Sequence, residues 1–160
     1  MSPPDHLVTF ALDGQSYALR LPAVERAIRM VEITPLPQAP DIVIGIINIQ
    51  GRIIPVLDMR KRFGLPERRA GVGDQLLVAR TSRRTVALVV DEVHGVTGSP
   101  ADGEIVPAEI VPGLDYVAGV VKLDDGLLFI HDLDGFLSLD EEEALAAAMN
   151  GEEGTGLSTR

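Results

Sequence analysis

Side chains able to do chemistry are few in this chain of 160 residues, and they are scattered along it. The three histidines, His6, His94 and His131, lie far apart, and the chain has no cysteine. This pattern offers no ligand spacing for zinc and no cysteine nucleophile. The serines follow no Gly-x-Ser-x-Gly pattern, the nucleophile elbow of many hydrolases. We therefore expect no catalytic residues and no enzyme activity.

Three further stretches fail as binding sites for small ligands or ions. Asp132-Leu-Asp134-Gly135 begins like a calcium loop, but its third acidic position and its spacing to the glycine are wrong. Gly71-Val-Gly73 opens no predicted helix and so predicts no phosphate site. Asp124-Asp125-Gly126 is typical of a tight hairpin turn. The sequence predicts a protein that binds something and converts nothing, with no metal and no cofactor.

The composition predicts a β-rich body with an aliphatic core. Hydrophobic residues make up 46% of the chain, aromatic residues only 4%, and tryptophan is absent; valine and isoleucine favour strands. No apolar run approaches the ~20 residues that cross a bilayer, and the first residues lack the regions of a signal peptide. The absence of cysteine fits a reducing compartment. We expect a cytoplasmic protein without direct membrane insertion.

Charge is unevenly distributed within a net charge of −10. Residues 1–100 carry 12 basic and 10 acidic side chains, whereas residues 101–160 carry 2 and 14. Nucleic acid requires clustered lysine and arginine, so this balance argues against such a partner. The one basic cluster, Arg60-Lys61-Arg62 with Arg68-Arg69, is interpreted as a solvated helix face and loop rather than a contact site for an acidic partner.

The elements that must position any site are organised around residues 45–65. Two β-branched runs flank Gln50-Gly51-Arg52, which predicts a hairpin because Gly51 can adopt a positive φ. Pro55 cannot donate to a ladder, so its strand is expected at an edge or with a bulge. Asp58 is expected to cap a short helix that ends at Gly64.

The pattern is repeated later in the chain. Residues 45–59 align without a gap on residues 119–133, and residues 7–28 align on residues 76–97. We interpret this as an internal duplication into two halves, each with a hairpin followed, after a connection, by a second hairpin. In the second half, residues 85–96 are predicted as one long strand interrupted at Asp91, and residues 98–113 as a surface loop. After it, residues 140–149 are predicted as a helix and residues 151–160 as a disordered tail.

The hairpin also carries a resemblance to a known family. Residues 45–58, Gly-Ile-Ile-Asn-Ile-Gln-Gly-Arg-Ile-Ile-Pro-Val-Leu-Asp, closely resemble the Gly-Val-x-Asn-Leu-Arg-Gly-x-Ile-x-Pro-Val-x-Asp signature of CheW-like domains, the bacterial chemotaxis coupling proteins. The resemblance extends over roughly residues 5–145 and includes the opening Leu-Val-x-Phe strand, the turn at Val24 and the Thr34-Pro-Leu-Pro approach. The hairpin motif is long and fairly specific, and the rest is ordinary β pattern.

The resemblance implies a mainly β fold for a single domain over residues 5–145. Two similar five-stranded SH3-like β-barrel subdomains pack about a shared core, with short helices and a C-terminal helix. The barrels are expected over roughly residues 5–65 and 75–139, and exchange of strands between them is allowed for.

The function implied by the resemblance is that of a non-catalytic adaptor, or scaffold, in bacterial chemosensory signal transduction. Such an adaptor couples the cytoplasmic tip of methyl-accepting chemoreceptors to the regulatory domain of a CheA-type histidine kinase, without a cofactor. It is cytoplasmic and recruited to receptor arrays at the inner membrane. The kinase domain shares the fold and packs barrel on barrel, while receptors bind an apolar groove between the barrels.

Site residues follow from the motif position by position. Val24 matches the partner face, Asn48 the motif asparagine and Gly51 the turn glycine; with Gln50 and Arg52 they are the expected partner-binding residues. Gln50 departs from the usual arginine and lacks its charge and planar fork, and Arg26 stands where typical members are acidic. The alternatives are therefore a CheW-like scaffold of a divergent, non-motility pathway, or a small-ligand-binding β-barrel module.

Overall fold

The computed structural model describes residues 6–98, 105–107, 117–123 and 126–158. Two helices, α1 (Met59–Phe63) and α2 (Leu139–Ser158), and a 3₁₀ turn (Leu21–Ala23) accompany eleven strands within these ranges. The strands are β1 (His6–Leu12), β2 (Gln15–Arg20), β3 (Val24–Arg29), β4 (Val43–Ile49), β5 (Arg52–Leu57), β6 (Gln75–Arg80), β7 (Thr85–Val90), β8 (Glu92–Gly98), β9 (Ile105–Pro107), β10 (Val117–Leu123) and β11 (Gly126–His131).

The strands form two sheets, in agreement with the predicted mainly β fold. Sheet A has the order β8-β1-β2-β11-β10-β9, and sheet B has the order β3-β6-β7-β5-β4. Neighbouring strands are antiparallel except for β11 beside β2 and β5 beside β7, which run parallel. Among the described residues, no helix is long and apolar enough to cross a membrane.

The registers of the two sheets match pair for pair. Ile47 faces Ile54 in the β4–β5 hairpin, and Val121 faces Leu128 at the aligned positions of the β10–β11 hairpin. Each of these ladders also shifts register at its far end, between Val43 and Gly45 and between Val117 and Gly119. The β1–β2 and β6–β7 hairpins agree in the same way, as do the β3–β6 and β8–β1 pairings. This correspondence supports the duplication that the sequence pattern indicates.

Sheet A has one strand more than the five expected. The extra strand, β9, pairs with β10 through Val106 and Val120 and lies within the stretch predicted as a surface loop. Sheet B has only a single bridge at the equivalent place, between Thr34 and Ile46. The Thr34 connector contains three prolines in seven residues, and each proline removes a donor, so a continuous ladder cannot form there.

Hairpins are exchanged between the halves. The first half supplies β1 and β2 to sheet A, which otherwise comes from the second half, and the second half supplies β6 and β7 to sheet B. Neither sheet therefore coincides with the expected ranges 5–65 and 75–139. The exchange takes place at Asp91, where the chain leaves β7 in sheet B and enters β8 in sheet A, so the long strand predicted over residues 85–96 is two strands.

Each sheet uses both faces for burial. One face of β6 contributes Leu76 and Val78 to a cluster within sheet B, while the alternate residues Leu77 and Ala79 enter a larger core shared by both sheets. The equivalent cluster of sheet A contains Leu7, Ala18, Val121, Leu128 and Ile130. Because side chains alternate along a strand, each sheet has its own core and a face in the shared one.

The two helices close the shared core at one side. Asp58 caps α1 by accepting from the Lys61 backbone N–H at 3.1 Å, and Gly64 ends it in the left-handed conformation. In α2, Leu145, Ala148 and Met149 are buried in the shared core. This helix begins as predicted but continues to Ser158. Residues 151–158 are therefore helical, whereas a disordered tail was expected over residues 151–160.

Candidate functional site

The predicted partner-binding hairpin ends in a tight two-residue turn. Gln50 and Gly51 both have positive φ, 52° and 86°, as a type I′ turn requires. The Asn48 side-chain oxygen accepts the Gly51 N–H at 2.8 Å and fixes the turn from inside. Asn48, Gln50 and Gly51 are all exposed, so the tip of this hairpin is open to a partner.

Arg52 connects the hairpin to strand β3. Its guanidinium donates to Glu25 at 3.0 Å and to the Thr85 hydroxyl at 3.2 Å. Glu25 also accepts from Arg80 at 2.8 Å. The hydrogen bonds from Arg52 and then Arg80 hold the pKa of Glu25 below its usual value. We call these four residues, Glu25, Arg52, Arg80 and Thr85, the Glu25 cluster.

The Glu25 cluster lies at one end of sheet B and spans its first four strands. Each of three cluster residues lies two positions along its strand from a residue of the sheet's own core, and so on the same face: Arg80 from Val78, Thr85 from Ala87 and Arg52 from Ile54. The cluster therefore covers the end of that core. The side chains of Arg52 and Arg80 remain 47% and 66% exposed, against 17% for Glu25. The cluster therefore presents two cations to solvent over one shielded carboxylate.

Sheet A has no counterpart of this cluster. The aligned positions hold His94, Gly126, Ala11 and Ser16, which cannot form the same ion pairs. The two halves thus share a backbone plan but differ in the chemistry of this end. Any partner that depends on the Glu25 cluster distinguishes sheet B from sheet A.

Val24 is placed differently from the other predicted site residues. Its backbone pairs with Ala79 next to the Glu25 cluster, but its half-buried side chain packs against the shared core. The structure therefore brings Arg52 next to β3 and leaves the side chain of Val24 on another face. Sequence reasoning missed Glu25, Arg80 and Thr85. All three lie at or next to a strand end, and this position lets the Glu25 carboxylate bind arginines from two other strands.

Two arginines of the basic cluster, Arg60 in α1 and Arg68 in the following loop, form ion pairs within the protein. Arg60 donates to Asp91 at 2.8 and 3.0 Å, and Arg68 bridges Asp91 and Asp74 at 2.6 and 2.7 Å. The Asp13 N–H also donates to Asp91 at 2.8 Å. Burial opposes the charge of Asp91, but these hydrogen bonds, led by Arg60, lower its pKa. These arginines hold the two halves together at the strand exchange.

The other candidate groups form no reactive site. His131 is buried between aromatic rings, whereas exposed His94 lies 3.8 Å from Glu92. Asp132 accepts the Gly135 N–H at 3.2 Å and so serves a turn. Within the described residues, no three histidine, aspartate or glutamate side chains come together as a metal site. The Asp124-Asp125 turn lies outside the described residues.

Two small cavities lie beside the segment between β11 and α2, the first against the β6–β7 turn and the second against the ends of β2 and β6. One is lined by Leu57, Thr81, Arg83, Asp134, Phe136 and Glu142 among others. The second has Leu19, Arg20, Arg80, Ala118, His131 and Asp132 in its wall. Both mix charged and apolar side chains, unlike the closed apolar pocket that would favour a small-ligand module.

Comparison with known proteins agrees with this geometry. The solved structure of the scaffolding protein TtCheW from Thermoanaerobacter tengcongensis superposes with a TM-score of 0.77 at 30% identity, covering 87% of this chain and 96% of that one. This likeness confirms the mainly β, two-sheet architecture and is consistent with SH3-like barrels.

Curated relatives point the same way. The chain is 27% identical to the chemotaxis protein CheW of Treponema pallidum over 88% of its length and 86% of the relative's. It is 27% identical to that of Rhizobium meliloti over 86% and 90%. The profile of the CheW-like domain matches residues 6–141. Proteins of this kind are non-catalytic scaffolds, which agrees with the prediction that the chain is not an enzyme. The protein belongs to the CheW-like domain family.

Proposed function

We propose that this protein couples chemoreceptors to a CheA-type histidine kinase in the cytoplasm and binds both without catalysis of its own. The family assignment supports the scaffold role. The observation that carries the partner-binding part is the Arg52–Glu25 ion pair, because it joins the exposed hairpin tip to β3 in one continuous surface.

The chemistry of this surface fits a protein partner. Ile53 is 38% exposed and faces Asn48 across the hairpin, so an apolar side chain lies beside the amide on the face of β5 opposite to Arg52. Arg52 and Arg80 add positive charge to a chain whose net charge is −10. A partner that reaches both faces of the hairpin tip, with a carboxylate for the arginines and an apolar side chain for Ile53, would complement all three features, and such complementarity favours association and register.

Departures from the family pattern favour a second candidate, a scaffold in a divergent, non-motility pathway. The turn carries Gln50 where an arginine is usual, and the hairpin's arginine is Arg52 instead. Arg26 likewise replaces the usual acid, while the neighbouring Glu25 holds Arg52. Relative to the family pattern, the positive charge is displaced from position 50 to Arg52, and the negative charge from position 26 to Glu25. A kinase that reads the usual positions would then meet this surface out of register.

The test is titration of the protein against the isolated regulatory domain of the CheA-type kinase from its own organism, alongside Gln50→Arg. Micromolar or tighter binding by the natural chain would establish the coupling role and show that Gln50 is compatible with it. Binding only after arginine is introduced would point to a different native kinase. If neither protein binds, the coupling proposal is wrong. Arg69→Ala, on an exposed loop, serves as the control for charge alone.

A further inference from the structure

His131 is a polar side chain in a place built for an apolar one. The duplication aligns it with Leu57, which is completely buried in the shared core. His131 is only 4% exposed, and neither ring nitrogen has a hydrogen-bond partner among the residues that the structure describes. A buried group that has lost its bonds to water without replacement destabilises the closed state.

The His131 ring packs between two phenylalanine rings, one at the end of α1 and one just before α2. The ring centroid of Phe63, the last residue of α1, lies 5.3 Å away edge-on, and that of Phe136, just before α2, lies 5.2 Å away. The Arg62 guanidinium lies over the Phe136 ring, 5.4 Å from its centroid. The other charged neighbours of His131 line the cavity beside it: Arg20, Arg80, Asp132 and Asp134.

The segment that covers His131 is fastened by bonds near the start of α2. Ser138 and Glu141 cap the helix reciprocally, at 3.1 and 2.9 Å. Glu141 also binds Arg62, and Glu142 binds Arg84 at 2.9 Å. Further along, buried Leu145 anchors the helix in the shared core. Residues 132–149 therefore form one continuous cover, and lifting it would bring His131 into contact with water.

We propose that His131 makes the release of α2 proton-dependent: when the cover lifts, the imidazole binds a proton, and the cover cannot close again until that proton leaves. Burial lowers the pKa of His131 to about 3 in the closed state, whereas a hydrated imidazole has a pKa of about 6.5. Because the folded pKa is lowered, protonation favours the open state as pH falls below about 6.5. Imidazole is the only side-chain type that ordinarily titrates between pH 5 and 8.

This proposal does not depend on the coupling role. It makes the hold of α2 on the shared core a function of pH, and it gives the unpartnered imidazole at a leucine position a use. A mere packing fault would destabilise the whole protein instead of one cover, so the two explanations differ in which backbone amides respond to pH.

The experiment is amide hydrogen exchange of the full chain at pH 7.5, 6.5 and 5.5, corrected for intrinsic rates, with His131→Leu and the exposed control His94→Leu. The opening equilibrium of amides 141–149 should rise about tenfold from pH 7.5 to 5.5 in the natural chain and in His94→Leu. It should be unchanged in His131→Leu, while the β6 and β7 amides stay protected throughout.

The same pH dependence in His131→Leu would overturn the proposal, as would exchange of α2 only together with β6 and β7. A measurement on the natural chain avoids dependence on the variant's folding. The His131 Cε1–H resonance should remain that of a neutral ring at pH 5.5, and titration of the main signal near pH 6.5 would refute the proposal.

Discussion

Arg52 of β5 reaches Glu25 of β3 across two intervening strands, with 3.0 Å between Nη1 and Oε2. This ion pair turns residues that are remote in sequence into one surface. Because Arg52 is about half exposed, the pair contributes little to folding. Its importance, in our proposal, is to set the position of a cation for a partner.

Replacement of Arg52 should therefore separate binding from stability. We expect Arg52→Ala to lower the free energy of unfolding by less than about 1 kcal/mol. Affinity for the kinase regulatory domain should fall by about 1–2 kcal/mol, roughly five- to thirtyfold, if the arginine meets a carboxylate. Calorimetric titration and urea unfolding measure the two effects. Affinity equal to that of the natural chain and of the control Arg69→Ala would exclude Arg52 from the interface.

Gly45 lies where the connector crosses the hairpin. A Cβ there would overlap the Thr34 carbonyl oxygen and lie 2.8 Å from Ile33 Cγ2. Thr34 and Ile46 exchange backbone hydrogen bonds at 2.8 and 2.7 Å, so the connector cannot move away freely. Gly45→Ala should cost about 1–3 kcal/mol of unfolding free energy, as overpacking usually does. Gly73→Ala, with open space around it, is the control; equal losses in urea unfolding would contradict this explanation.

Asp91 should make stability depend on pH in the acid range. Its pKa is lowered in the folded state, so its contribution is present above the unfolded carboxyl pKa of about 3.9. That contribution disappears as pH falls through the lower folded pKa. Asp91→Asn should cost about 1–2 kcal/mol at pH 7, because Arg60 and Arg68 lose a charged acceptor.

The difference between the natural chain and Asp91→Asn should shrink as pH falls to about 3. Urea unfolding at both pH values measures it, and the exposed Asp41→Asn provides a matched loss of charge. A constant difference across this range would show that Asp91 acts through packing and not through its charge.

Gln50 holds a left-handed conformation that side chains other than asparagine and glycine adopt at a cost. With φ at 52° in the turn, Gln50→Asn creates the favoured Asn-Gly pair of a type I′ turn. We expect the free energy of unfolding to rise by about 0.5–1 kcal/mol, which thermal unfolding would show as a higher melting temperature. Gln50→Arg should leave stability unchanged, and a large loss in either variant would show that the glutamine side chain has contacts that the turn requires.

Hairpins could be predicted from sequence because their signals are local. Branched side chains on either side of Gln50-Gly51 define a strand–turn–strand unit, and the observed pairing of Ile47 with Ile54 is the one that such a turn imposes. The match with Val121 and Leu128 follows from the same local pattern. α1 was likewise predictable, since Asp58 and Gly64 mark its two ends.

The neighbours of these hairpins could not be predicted. The apolar alternation of β2 does not reveal that its second partner is β11 and not a strand of its own half. Pro55 illustrates the same limit. It predicted an edge or a bulge at that point, and pairing with β7 does begin only after the proline, at Val56. The proline did not reveal that β5 as a whole lies between β4 and β7.

The site was predicted in part, through motif resemblance. Arg52 was named, but its partner Glu25 was not, because an ion pair across two intervening strands depends on sheet order. Asp91 was taken as an interruption of one strand, whereas it lies at the exchange between sheets and accepts from Arg60, Arg68 and the Asp13 backbone. Long-range acceptors of this kind leave no periodic signal in the sequence.

Exchange of the hairpins also fixes the order of events during synthesis. Sheet B cannot gain its central strands until β6 and β7 have been made, and β2 lacks its second neighbour until β11 leaves the ribosome. An early β1–β2 hairpin must therefore wait, with its apolar faces uncovered, for almost the whole domain. Such distant pairings slow folding and expose strands to aggregation. The first half of this protein therefore leaves the ribosome without all of its strand partners, and β11 supplies the missing neighbour of β2.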